Sequence, residues 1–265
     1  MIPIDGFAYA SKLARTDPKA KLWFSLLPLM LCILLDSVAV GLACLLVMSY
    51  ATLKNSSIGT KRYLSFLSIP MVFLFLGTLT ILIGQYSLSA HLLVGVTIGT
   101  HQYGISAMSL WEGGKLICKS LGAVSCMYFL SFNTPMVSLF QTLRHTIIPD
   151  LFVSLMELIY RYIFVIWEEA QKMRTAQSSR LGYTGFFRSL KSAGTLAAAL
   201  FFRAYQKCDR SYAALESRGY HGSFEALEEE YLPDQRLKLF AFLFSGMLLL
   251  LGITERLALH GGKLI

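Results

Sequence analysis

The chain has 265 residues, 55% hydrophobic and 15% charged, with a formal net charge of +8 and a mean hydropathy of +0.55. That is more apolar surface than a soluble domain of this size can hide in a core, so the composition excludes a soluble globular protein and indicates an integral membrane protein. The basic excess sits in short connections such as Lys12, Arg15, Lys19 and Lys21, and no basic run is interleaved with aromatics; this excludes a nucleic-acid surface and instead carries information on helix orientation.

The first residues mix acidic and basic side chains ahead of the first apolar block, with no small-residue cleavage site after a short core. The first hydrophobic segment is therefore expected to stay in the mature protein. Residues 22–53 contain one charge, Asp36. They read as a hairpin of two short spans with Asp36 at the turn, or as one strongly tilted helix; the hairpin keeps a carboxylate out of lipid, where it is costly. A span over 64–84 follows. The less apolar stretch 88–108 carries Gly95 and Gly99, spaced to let two helix backbones approach closely, whether as a sliding seam or as ordinary packing. Residues 115–132 read as another membrane helix with Lys115 and Lys119 at its start, Glu112 as an interfacial partner of Lys115, and Asn133-Thr134-Pro135 as its stop.

From residue 136 to 234 charges appear every few positions while apolar residues keep helical spacing, which predicts amphipathic rather than spanning helices. A short helix is bounded by Pro135 and Pro149, and two very long patterns cover 150–182 and 186–219. The apolar part of the first, over 151–167, can touch the membrane, whereas 168–180 must project into water or onto a partner. Glu157 and Arg161 have the spacing of an intrahelical ion pair, and Glu228 to Glu230 read as a solvated loop or as a contact for a basic partner. A last span covers 237–257.

The expected fold is thus all-α, a polytopic membrane protein with about five to six membrane helices. Three regions are expected: N-terminal transmembrane helices over 1–135, coupling helices over 136–236, and a C-terminal transmembrane helix over 237–265. The thirteen basic residues of 141–238 and the basic loops at 12–21 and 54–62 put the N-terminus and the amphipathic region on the cytoplasmic side. An even number of crossings then lies between them, and the final span puts Lys263 outside.

The chemistry-bearing residues are sparse. Cys32, Cys44, Cys118, Cys126 and Cys208 form no CxxC and read as small packing residues. His91, His101, His145, His221 and His260 form no HxxxH or HExxH; His91 and His101, ten apart, can share a helical face in packing or in ligation. The nearest approach to a P-loop, "EGGK" at 112–115, lacks the first glycine at the needed spacing and the Ser or Thr. No paired carboxylates, nucleophile motif or metal cluster is present, so the chain reads as a non-enzyme, with neither a catalytic residue nor a metal site of its own.

Two helix ends repeat one another. Ala176-Gln177-Ser178-Ser179-Arg180-Leu181-Gly182 and Ala213-Ala214-Leu215-Glu216-Ser217-Arg218-Gly219 each put an arginine in the last turn and a glycine at the stop. A glycine in left-handed conformation ends a helix, and a cation near a C-terminus is favoured by the dipole by roughly 0.3–1 kcal/mol. A protruding guanidinium is equally suited to bidentate docking on acidic groups of another protein.

The segment "YRYIFVIWEEAQKMRTAQSSRLG" followed by "ALESRGYHG" resembles the transmembrane T component of energy-coupling-factor transporters, in which two Ala-Arg-Gly-like motifs end two cytoplasmic coupling helices. The N-terminal "AYASKLARTDPKAKLWF", the "NTP" break and "FQTLRHTIIPDLF" resemble its cobalt-uptake, CbiQ-type branch, so the resemblance runs over most of the chain. It implies a non-catalytic scaffold in the cytoplasmic (inner) membrane of a bacterium or archaeon. Its partners would be cytosolic ATP-binding-cassette subunits, a membrane subunit that captures the substrate, and a small accessory membrane subunit. By resemblance, Arg180 and Arg218 dock into the ATPases, flanked by Ala176, Ser179 and Gly182 at one tip and by Glu216, Ser217 and Gly219 at the other. Ser179 and Ser217 stand where the family usually has Ala, and Leu181 is inserted between Arg180 and Gly182. ATP would be used by a partner, no cofactor would be bound by this chain, and the cargo would be cobalt(II), with nickel as the alternative cargo. A self-contained membrane carrier is the competing reading, which would predict polar residues inside the spans.

Overall fold

The computed structural model describes residues 3–82, 84–86, 94–98, 101–105, 107–144, 146, 148–219, 231 and 234–261. The chain forms two compact units, one of Pro3–Pro135 with Glu230–Ile265 and one of Met136–Glu229.

In the first unit, α1 (Pro3–Tyr9) precedes α2 (Pro18–Leu34) and α3 (Val38–Asn55). Asp17 starts α2 by accepting the Lys19 N–H at 3.0 Å, with Pro18 in the first turn, and Ser37 starts α3 by accepting the Val40 N–H at 3.2 Å. Between these helices Asp36 adopts φ 43°. The hairpin reading holds, with Asp36 at its turn: aspartate tolerates the left-handed region better than most residues. Asp36 is held there by Lys119, whose Nζ donates to Oδ1 at 2.5 Å, and Lys115 lies at 3.9 Å. Lys115 thus turns to Asp36 and not to Glu112, because Lys115 and Lys119, one helical turn apart, face the hairpin.

Helix α4 (Thr60–Leu82) is followed by strands β1 (Gly84–Tyr86), β2 (Val94–Ile98) and β3 (His101–Ile105), paired antiparallel in the order β1-β3-β2. This corrects the helical reading of 88–108. Gly95 stands opposite Gly104 in a β ladder, and Val94, Val96, Thr97 and Ile98 favour extended backbone. His101 pairs with Ile98 in the same ladder, so it presents no helical face to share with His91. Gly99, His91, His145, His221, Glu228 to Glu230 and Lys263 lie outside the described residues.

Helix α5 (Ala107–Asn133) and helix α9 (Gln235–Gly261) complete this unit. Phe24, Cys32, Val40, Cys44, Met48, Cys126, Phe129, Phe244 and Leu248 form one buried core from α2, α3, α5 and α9, with the Phe24 and Phe129 rings edge to face at 4.9 Å. Three of the five cysteines are therefore packing residues of that core. At the end of α5 a polar node anchors the N-terminal segment. The fully buried Lys21 donates to the Leu13 carbonyl at 2.8 Å and the Asn133 carbonyl at 3.3 Å, while Asn133 accepts from Ser11 Oγ at 2.8 Å. The charge of Lys21 thus meets the negative end of the α5 dipole.

Helices α3, α4, α5 from Ser109 and α9 to Arg256 are long and apolar enough to cross a membrane. Helix α2, with 17 residues, is also apolar but one residue shorter than α3, the shortest of these helices. Among the described residues the fold is α-helical apart from the small sheet, a polytopic membrane protein.

The second unit consists of α6 (Met136–Arg144), α7 (Asp150–Ser179) and α8 (Phe186–Glu216). Arg144, at the end of α6, reaches Glu157 of α7 at 3.4 Å, both partly buried. Glu157 therefore pairs between helices and not with Arg161 on its own helix. Helices α7 and α8 run antiparallel, tied by Tyr162 Oη to Ser211 Oγ at 2.6 Å and by Arg203 to Glu169 at 2.7 Å.

Candidate docking tips

The two arginine motifs end helices of 30 and 31 residues. Because α7 and α8 are antiparallel, Arg180 sits at the elbow joining them and Arg218 at the opposite end, separated by about 45 Å of helix at 1.5 Å per residue. The sequence placed both at helix ends; only the folded hairpin shows that the ends are opposite ones.

At the first tip, the Gly182 N–H donates to the Gln177 carbonyl at 2.9 Å and the Leu181 N–H to the Ser178 carbonyl at 3.0 Å. This is a Schellman-type stop, and its left-handed residue is Leu181, at φ 56°. The sequence expectation that glycine takes that conformation is corrected here. Gly182 is required for a different reason: a Cβ on it would stand 2.8 Å from Ser192 Oγ and 2.9 Å from the Gln177 carbonyl.

At the second tip the expectation holds. Gly219 has φ 77°, after Arg218 N–H donates to the Leu215 carbonyl and Gly219 N–H to the Glu216 carbonyl, both at 3.0 Å. Glu216 is the last residue of α8 and is exposed, as are Ala176 on α7 and Ser179 and Ser217 beside the arginines. Neither serine adds an outward donor in a fixed direction: Ser179 Oγ bonds the Thr175 carbonyl at 3.1 Å and Ser217 Oγ the Ala214 carbonyl at 3.0 Å. Each thus folds back on its own helix.

Arg180 and Arg218 are both exposed, and among the described residues neither guanidinium has a hydrogen-bond or ion-pair partner. Three other basic residues of the unit are engaged in ion pairs: Arg144 with Glu157, Arg203 with Glu169, Lys172 with Glu168 at 2.8 Å. The hydrogen bond from Lys172 holds the Glu168 carboxyl below its ordinary range and raises Lys172 in return. The two tips therefore each present a planar five-donor group outward with its capacity unspent, as the exposed Arg161 does midway along α7.

Sequence reasoning missed what fastens the elbow that carries Arg180. Gln177 accepts from Tyr183 Oη at 2.8 Å and donates to the Ser192 carbonyl at 3.1 Å, and Ser192 Oγ donates to the Gly182 carbonyl at 2.7 Å. Arg174 lies over the Tyr183 ring, 5.8 Å from its centroid. This staple fastens the end of α7 to the start of α8. Glutamine and serine on a polar helix face carry no pattern that separates them from solvated neighbours, so no signal in one sequence identifies them.

An apolar groove of about 340 Å³ runs between α7 and α8, lined by Leu158, Ile159, Tyr162, Ile163, Ile166 and Ala204 among others. Among the described residues no group of three or more His, Cys, Asp or Glu is placed to hold a metal ion.

The sequence profile of the cobalt transport protein family CbiQ matches residues 10–229. The chain is similar to an uncharacterised protein of Methanocaldococcus jannaschii, 36% identical over 255 residues, covering 96% of this chain and 93% of that one. It is 31% identical over 256 residues to a putative fused cobalt transport protein CbiMQ of Methanocorpusculum labreanum, covering 97% of this chain but only 43% of the fused protein. With the cobalt transport protein CbiQ of Salmonella typhimurium it shares 28% identity over 224 residues, 84% of this chain and 99% of that protein.

Proposed function

Because the chain belongs to the CbiQ family of cobalt transport proteins, we propose that it is the energy-coupling membrane scaffold of an ATP-driven cobalt(II) importer, a non-catalytic subunit that passes motion from cytosolic ATPases to a membrane subunit that captures the ion. The observation that carries the reading is the pair of outward, unpartnered arginines at opposite ends of one stapled helix hairpin. Arg180 and Arg218 each dock on an acidic groove of one ATPase subunit, with a charge-assisted, bidentate contact.

The tips lie about 45 Å apart on stiff helices, so closure of two ATPases on ATP displaces both ends of the α7–α8 hairpin. The apolar groove of that hairpin is the surface against which the capture subunit rests, and its tilt releases the ion inward. A fused CbiMQ relative, more than twice as long as the matched region, supports a second transport subunit as the neighbour. The ion's ligands belong to that subunit, and ATP is hydrolysed by the partner.

Four apolar helices, α2 to α5, precede the coupling unit. Counted as crossings among the described residues, with α2 joining the three candidate spans, their even number supports one side for the basic segment 12–21, the basic loop 54–62 and the coupling unit, and the charge rule for short loops favours the cytoplasmic side.

The test is a tagged full-length chain carrying R180E and R218E, expressed with its transporter partners. Loss of a copurifying ATPase, identified by its P-loop sequence, and loss of radiolabelled cobalt uptake are expected. An intact complex with full uptake would sink the docking claim; uptake by this chain alone in liposomes would favour a self-contained carrier. Nickel outcompeting cobalt in the same uptake measurement would reassign the cargo.

A further inference from the structure

Leu181 combines two unfavourable features. Its backbone is left-handed, at φ 56°, a conformation in which the Cβ of a bulky residue crowds the following carbonyl and is disfavoured. Its side chain is also spent on water, 67% exposed beside Arg180. Neither is needed to end the helix: Gly219 ends α8 with a glycine in the same region of backbone space, and a Schellman-type stop is best served by glycine at that position. The staple of Gln177, Tyr183 and Ser192 holds the elbow in this geometry from both sides. Disfavoured backbone that surrounding contacts enforce is characteristic of sites where a side chain must be presented in one direction.

We propose, resting on the docking reading above, that Leu181 is a specificity-determining contact of the first tip: it enters an apolar recess beside the acidic site on the ATPase subunit that takes Arg180, so that this tip binds by charge and apolar burial together, whereas the tip at Arg218 binds by charge. Charged rim contacts tune encounter and salt dependence, whereas buried apolar anchors govern residence. The chain therefore marks its two ends differently. A leucine followed by glycine at the elbow is the mark, and the elbow's exposed Phe186 and Phe187 extend apolar surface on the same segment.

The experiment uses the full-length chain in detergent with R218E in every variant, so that only the first tip binds, and the P-loop ATPase subunit that copurifies with the wild-type chain, purified and titrated against chains with Leu181, L181G, L181N, L181M and R180E. Hydrogen exchange at the Gly182 amide is followed in the free chain. L181G and L181N relieve the backbone, so exchange at Gly182 is expected to slow several-fold, while affinity for the ATPase falls about tenfold, the scale of losing a partly buried leucine side chain. L181M keeps the apolar contact and is expected to bind within about twofold of the chain with Leu181. Undiminished or tighter binding by L181G, with R180E binding lost, would overturn this proposal and leave the docking reading standing. Accelerated exchange at Gly182 would assign the loss to unfolding and also overturn it. Full binding by R180E together with R218E would remove both.

Discussion

Gly122 of α5 meets the backbone of α3 at Gly41: a Cβ on Gly122 would stand 2.6 Å from the Gly41 carbonyl oxygen. A Cβ on Gly41 would in turn meet the Cys118 carbonyl at 2.9 Å. The obstacles are backbone atoms, so neither helix can yield by a rotamer change. Gly122→Ala is therefore expected to part α3 from α5 and cost about 1–3 kcal/mol, as overpacking does in tight interiors. The check is the thermal midpoint of the purified protein, with Gly114→Ala as a control, since no atom lies within 4 Å of a Cβ there.

Gln177→Ala removes the partner of Tyr183 Oη and the donor to the Ser192 carbonyl. Both groups are only part-buried, so the expected cost is near about 1 kcal/mol each rather than a full desolvation penalty. Amide exchange over 177–192 should quicken by one to two orders of magnitude, while the far end of the hairpin near Arg218 stays unchanged. Equal quickening at both ends would show that the staple does not act locally.

For Lys21→Met two effects oppose. Methionine relieves the buried ammonium of its desolvation, but it leaves the Leu13 and Asn133 carbonyls without their donor. The Asn133 carbonyl is at a helix C-terminus, where a cation is favoured, so the loss is expected to win by about 1–2 kcal/mol. A lowered thermal midpoint and faster proteolysis within residues 3–17 are the readouts; a raised midpoint would mean that desolvation is the larger quantity.

Asp36 titrates with a defined sign. The hydrogen bond from Lys119 foremost, opposed by burial and aided by the charges of Lys115, Lys119 and Arg256, holds its carboxyl below the ordinary value. A depressed folded pKa contributes stability that is fully present above the unfolded value of about 3.9 and is lost as pH falls through the folded value. Asp36→Asn keeps a residue type that tolerates φ 43°. The midpoint difference between wild type and Asp36→Asn is thus expected to be constant from about pH 5 to 7 and to vanish well below pH 4. Asp36 is 58% exposed, so the difference should be small and should shrink in high salt.

The long-period features were legible in the sequence because they rest on many residues at once. The apolar hairpin around Asp36, the helices ending at Ser179 and Glu216, and the break at Asn133 each follow from a run of consistent local signals. What escaped depended on neighbours distant in sequence. Glu157 chose Arg144 over the helically spaced Arg161 because α6 folds beside α7, and Lys115 chose Asp36 over Glu112 because α5 packs on the hairpin. Gly95 was misassigned because a small residue spaced for helix packing is equally at home in a ladder when its neighbours are β-branched. At the candidate site the arginines were readable, but the left-handed leucine and the role of Gly182 as a spacer were not, since both are properties of the closed elbow.

Helices α3 and α4 differ in length, 18 residues against 23, or about 27 Å against 35 Å of helix at 1.5 Å per residue. One hydrocarbon layer of about 30 Å cannot match both when they stand upright, so the longer must lean or the lipid around it must thicken. Helix α4 buries only Tyr63 and Thr78 within the chain, and its lean is accordingly set more by acyl chains than by protein. Transport rates are then expected to depend on the thickness of the bilayer, with an optimum that shifts when α4 is shortened by one turn.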